Sequence, residues 1–242
     1  MECTDRIVVF AGPSLPPADR PDDPMFVWRP PAAAGDAFAL DGLRPRAVVL
    51  IDGLFDEHPS IRHKELLTLI AQGVTVIGGA SMGALRAAEL HTFGMIGVGQ
   101  IYEAYARGYL VGDDEVAVLH GPEELDWSPL TEPLVNVRAT ILRAVRDMIV
   151  DMPTARLAMR EASHLFYKDR TWPTILKGMR TAREAVQVLQ NWLPTGRVDL
   201  KREDALACLE VARSLYETQP TARPFPPQTM FSDALAAQVH RL

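Results

Sequence analysis

Val74-Thr75-Val76-Ile77-Gly78-Gly79-Ala80-Ser81-Met82-Gly83-Ala84-Leu85-Arg86-Ala87-Ala88-Glu89-Leu90 changes its grammar halfway along. A β-branched apolar run comes first, small and apolar residues at helical spacing come last, and glycines occupy the turn between them. The stretch therefore reads as strand, tight turn, helix. Just before it, Ile61, Leu66, Leu67, Ile70 and Ala71 recur at helical spacing between Ser60, a suitable N-cap, and Gly73, a suitable stop. Before that helix lies Ala47-Val48-Val49-Leu50-Ile51, ended by Asp52-Gly53, a continuous apolar run of the kind that marks a strand covered on both faces. Strand, helix, strand, helix in close succession requires a parallel pair joined by a right-handed crossover.

Further out, Ile7 to Ala11 and Met25 to Trp28 are strand candidates, Gln100 to Gly108 is a helix candidate, and Val116 to His120 reads as a further strand. Beyond Pro133 the pattern is helical, over 136–150, 154–168, 179–192, 201–217 and 231–241, with Pro153, Trp172-Pro173 and Pro194-Thr195-Gly196 as separators. The expected architecture is α/β: a Rossmann-like, mostly parallel sheet with helices on both faces, followed by a mainly helical C-terminal half. The boundary falls near Gly121-Pro122, giving an α/β core over 1–122 and a helical region over 123–242 packed on it.

Composition narrows the function classes. The chain has 242 residues, is 48% hydrophobic and 23% charged, and carries a net charge of −6, a balance suited to a globular protein and not to a nucleic-acid footprint. No apolar run approaches the roughly 18 residues of a membrane span, so a cytoplasmic protein without export or anchoring is expected. The two cysteines, Cys3 and Cys208, form no metal or redox spacing. There is no Walker lysine after a glycine loop and no His-Glu-x-x-His, and the glycines of Gly94 to Gly99 follow no evident strand, so neither a nucleotide nor a metal is expected in this chain.

Chemistry concentrates at Gly79-Ala80-Ser81-Met82-Gly83, a Gly-x-Ser-x-Gly between a predicted strand and a predicted helix. A serine on such a turn needs neighbours without bulk, and at a helix N-terminus the amides near Gly79, Met82 and Gly83 can meet an oxyanion. The alternative is that Ser81 only caps the helix. In a parallel sheet the preceding connection, Asp52 to Glu65, emerges at the same carboxyl-terminal edge. His63 in its first helical turn is the candidate base, on a face shared with Leu67 and Ile70, unless it is simply a packed histidine. His58 is a backup base, and Asp52 either orients a histidine or merely forms a turn. Ser14 in Gly12-Pro13-Ser14 could add an anion-binding donor. Asp113, Asp114 and Glu115 could orient the base or bind Mg²⁺, though acidic runs are usually solvated. Tyr102, Tyr105 and Tyr109 read as a packing stripe or a recognition surface.

These motifs together resemble the TfuA family. The matching residues are Phe10-Ala11-Gly12-Pro13-Ser14, Asp52-Gly53-Leu54-Phe55, His63-Lys64-Glu65, the whole of Gly79 to Leu90, Phe93 to Gly99 and Asp113-Asp114-Glu115-Val116-Ala117. The resemblance covers the first half and implies an accessory role beside a YcaO protein, which uses ATP and Mg²⁺ to activate a peptide amide for thioamidation of a ribosomal precursor peptide. Neither Cys3, at the terminus, nor Cys208, on a predicted helix, is well placed to carry a persulfide, so sulfur must arrive loaded, for instance as a thiocarboxylate on a small sulfur-carrier protein. Ser81 as nucleophile, His63 as base and Asp52 or a later carboxylate as orienter would then release sulfide. A non-catalytic adaptor that docks carrier or peptide onto YcaO, and a stand-alone serine esterase or amidase, are the competing expectations.

Overall fold

The computed structural model describes residues 6–40, 43, 45–54, 58–179 and 182–218. Five strands, β1 (Ile7–Phe10), β2 (Phe26–Arg29), β3 (Ala47–Leu50), β4 (Thr75–Gly79) and β5 (Ile96–Val98), form one sheet in the order β2-β1-β3-β4-β5. All four pairings are parallel, with Val8 beside Val48 and Val48 beside Val76. The chain reverses its direction of sheet growth between β1 and β3, which opens a crevice at the carboxyl ends of those strands.

Alternation along each strand sends residues to two cores. Val8, Phe10, Val48, Leu50 and Val76 meet α1 (His63–Ala71) and α2 (Met82–Leu90) on one face. Ile7, Val9, Val49, Ile51 and Ile77 meet Ala205, Cys208, Leu209 and Ala212 on the other. Those last residues belong to α8 (Leu200–Thr218), so a helix from the C-terminal half covers the sheet's second face. Burial pushes the Cys208 thiol far above its usual pKa, which keeps it protonated and inert. Between lie α3 (Gln100–Ala106), α4 (Leu134–Arg146), α5 (Met152–His164), α6 (Trp172–Gly178) and α7 (Arg183–Gly196). α4 to α7 share an apolar core around Ile141, Ala158, Ile175 and Leu189.

Several expectations shift. Ile96–Val98 is a strand that three residues around a central glycine had concealed. The expected strand Val116 to His120 joins no sheet: a 3-10 turn over Asp113–Glu115 precedes it, and its contact is an isolated bridge from His120 to Pro129. Two prolines read as separators start helices instead. Pro153 and Pro173 occupy first-turn positions in α5 and α6, where Asp151 and Thr171 accept hydrogen bonds from the Thr154 and Thr174 amides. The segment 231–241 and Cys3 lie outside the described residues. Among the described residues no helix is long and apolar enough to cross a membrane.

Candidate active site

The serine turn is built by tight backbone approaches. A Cβ on Gly83 would strike the Leu50 carbonyl, and one on Gly79 would strike Cys208 Sγ, so the two motif glycines let α2 reach β3 and α8 reach β4. Between them Ala80 adopts φ 64°, a left-handed conformation that an L-residue holds only at a cost of about 1–2 kcal/mol. Strain of that kind gathers at functional turns. Ser81 follows, at the N-cap of α2, yet its hydroxyl makes no capping bond. The simple capping reading therefore does not account for it. The Gly83 amide is committed to the Ile51 carbonyl at 3.2 Å and the Ser81 amide to Gly79 at 2.8 Å. Met82, the first residue of α2, leaves its N–H without a bond among the described residues, the position from which a helix N-terminus meets an oxyanion.

Ser81 lines a cavity of about 460 Å³ whose wall also includes Asp52, His58, His120, Lys168 and Lys201. Asp52 lies two residues past β3 and is buried. Its carboxylate accepts the Gly12 amide at 2.8 Å, the Ser14 amide at 2.9 Å and the Ser14 hydroxyl at 2.6 Å. Asp52 and Ser14 thus come together as expected from the sheet edge, but for each other: the Ser14 donors are spent on the carboxylate and the carboxylate on the loop, and among the described residues no histidine is bonded to it. Lys201, at the start of α8, is 3% exposed; its Nζ donates to the Val116 carbonyl at 2.9 Å and lies 4.0 Å from Asp52 Oδ1. Burial lowers the Lys201 pKa, with Asp52 and then Asp199 opposing the shift.

The structure does not bring His63 to the serine. α1 begins at His63, with Arg62 as N-cap and Glu65 reaching back to the Arg62 amide, so the inward face is Glu65, Leu66 and Leu69 rather than the row from 63 to 67 and 70. His63 Nε2 instead meets Glu89 Oε2 at 2.7 Å, an oxygen that Arg86 Nη1 also reaches at 2.7 Å. Glu89 is two turns along α2 from Ser81, about 12 Å at 1.5 Å per residue. His58 does line the cavity, at its exposed rim. Two acids of the run are paired with arginines. Glu115 takes a bidentate pair from Arg138 at 2.9 and 2.8 Å, and Asp114 meets the buried Arg170 through both its carbonyl and its carboxylate. Among the described residues no group of three or more His, Cys, Asp or Glu could hold a metal ion. Tyr105 is buried and donates to the Gly112 carbonyl, whereas Tyr109 is exposed.

Three titratable cavity residues, Lys168, Lys201 and His120, were not singled out from the sequence. Lys201, Asp204, Ala205, Cys208, Leu209 and Ala212 form the buried stripe of α8, and a charged pair opening an otherwise apolar stripe was the available signal for Lys201. Asp204 explains itself by accepting the Gln100 and Ile101 amides at the start of α3. His120 was hidden inside the mistaken strand.

Residues 52–171, roughly half the chain, match the family described as TfuA-like protein. The chain belongs to the TfuA-like family. The match spans Asp52, the Ser81 turn and His120, and stops short of Lys201. A comparison with curated proteins finds no match.

Proposed function

We propose that this TfuA-like protein serves a YcaO enzyme by hydrolysing the thiocarboxylate of a small sulfur-carrier protein, so that sulfide is released for peptide thioamidation. Family membership points to the accessory role. The observation that carries the chemistry is a buried serine without a capping bond, on a strained turn, lining a cavity whose wall also holds Lys168 and Lys201. A thiocarboxylate is an anion, and an oxygen nucleophile approaches it only where cations offset the repulsion. A neighbouring cavity of about 410 Å³ shares Pro13, Val118 and Lys201 with the first, room suited to the extended tail behind a terminal acyl group rather than to a small ester.

In this reading Ser81 Oγ attacks the acyl carbon, sulfur leaves, and water cleaves the resulting ester. In balance, one thiocarboxylate and one water give one carboxylate and one hydrogen sulfide, with no oxidant or reductant. Reconstituted thioamidation with the YcaO partner, ATP, Mg²⁺, precursor peptide and thiocarboxylated carrier tests it. Ser81→Ala should lower thioamide formation by about three orders of magnitude, and added inorganic sulfide should restore it. A Ser81→Ala protein that supports thioamidation at the wild-type rate without added sulfide would instead establish a non-catalytic docking role.

A further inference from the structure

Ser81 is buried, so whatever reaches it must pass the wall of its cavity, and part of that wall is a loop. We propose that residues 121–128 form a lid over the Ser81 cavity, hinged at its neck and latched by Arg20 against Trp127. The lid deepens the hydrolytic reading, on which its purpose rests, by controlling access to the same site.

The loop is tied to itself rather than to its surroundings. At the neck the Leu130 amide donates to the Leu119 carbonyl at 2.8 Å, the Gly121 amide donates to the Ser128 carbonyl at 2.9 Å, and His120 bridges to Pro129. Above the neck the Leu125 and Trp127 amides donate to the Pro122 carbonyl, that of Asp126 to Glu123 and that of Ser128 to Leu125. Among the described residues no backbone hydrogen bond leaves 121–128 for the rest of the molecule. A compact loop with close ends and internal bonds can turn as one body about its neck, because no ladder has to break.

One side chain seats it. Trp127 is buried in the cavity wall beside Gly121 and Pro122, and it packs on Gly12, where a Cβ would come within 3.3 Å of Trp127 Cγ. Arg20 lies 4.9 Å from the Trp28 ring and 5.5 Å from the Trp127 ring, and its Nε and Nη2 donate to the Leu15 and Ala11 carbonyls at 3.1 and 3.0 Å. The guanidinium is thereby fixed to the loop after β1 and holds the Trp127 ring by cation–π attraction. Glu123 and Asp126 of the lid also act on this cation. Residues 121–128 carry three acids and no basic residue, so the charge that attracts them has to come from the body of the protein.

The latched form is also strained. Asp126 and Trp127 adopt φ 53° and 52°, and two consecutive non-glycine residues in the left-handed region persist only where their surroundings hold them. The seat of Trp127 on Gly12 and Arg20 supplies that hold. Release lets both residues return to ordinary backbone, so the strain works against the latch and keeps the open form within reach. Opening admits the end of a chain, and closure completes the wall around the serine.

The test needs no turnover. Ser81→Cys combined with Cys3→Ser places a thiol at the site, while Cys208 stays buried. Its modification by N-ethylmaleimide and by the bulkier fluorescein maleimide is timed, and located by mass spectrometry, in three backgrounds: Arg20 intact, Arg20→Gln, whose amide can still meet a loop carbonyl, and Arg20→Met. Amide exchange in β1 checks that the fold beside the latch is kept. In the same three backgrounds, spin labels at Leu125→Cys on the lid and Leu142→Cys on α4, both exposed positions, report the distance between lid and body by electron paramagnetic resonance. Loss of the latch should speed fluorescein maleimide about tenfold, change the N-ethylmaleimide rate less, and add a second label distance. An unchanged fluorescein maleimide rate in the folded Arg20 variants, or one label distance common to all three backgrounds, would overturn the lid and leave Trp127 as a fixed wall. Neither readout involves sulfide, so a failure of hydrolysis at Ser81 and a failure of the lid are seen separately.

Discussion

Lys201 is held where water would normally refuse to leave an ammonium, and that has a consequence for stability. Its folded-state pKa lies below the ordinary 10.5 because of burial. Between the folded and unfolded values the unfolded chain binds more protons, so unfolding free energy from this group rises with pH until about 10.5. Cys208 and Tyr105, both raised by burial, act in the opposite sense as their unfolded forms ionise, so the comparison must be made at each pH against Lys201→Met. Urea midpoints from pH 7 to about pH 10 should rise for wild type relative to Lys201→Met; parallel curves would mean that the lysine keeps an unshifted pKa. At this scale the sequence was half legible. Ser81 was marked by its glycines, whose steric role is local. His63 was misplaced because the apolar pattern of α1 is broad enough to suggest a face through Leu67 and Ile70, whereas the packed face is Glu65, Leu66 and Leu69. Asp52 was found but not its partner, since the Asp52 to Lys201 contact joins residues far apart in sequence.

Elements were easier to read where one physical signal dominated. Continuous apolar runs gave β1, β3 and β4, and the helical repeat gave α1, α4 and α8. The prolines misled because a proline that breaks a helix interior is equally at home in a first turn, and only the cap at Asp151 or Thr171 separates the cases. The segment Val116 to His120 has the composition of a strand, but Arg170 pins its approach: the guanidinium, fully buried, donates to the carbonyls of Asp114, Ala162 and Leu165 and to the Asp114 carboxylate. Arg170→Met would strand those acceptors away from water. It should cost about 3–5 kcal/mol, read as a lower urea midpoint, and a change below about 1 kcal/mol would show that the arginine does not hold the segment.

Over the whole molecule the two halves interlock. The α/β half supplies the serine, but α8 covers one sheet face and delivers Lys201, so the cavity is finished by the chain's far end. That explains why the sheet edge was predictable and the cavity was not: periodicity reports which face of an element is buried, not which element buries it. In the proposed function the completed cavity performs hydrolysis by itself and hands over sulfide. The most direct measurement is sulfide release from thiocarboxylated sulfur-carrier protein by the purified chain, without YcaO, comparing wild type with Ser81→Ala. Wild type should release sulfide and the variant should lose about a thousandfold or more; equal release by the two proteins would rule out hydrolysis at Ser81.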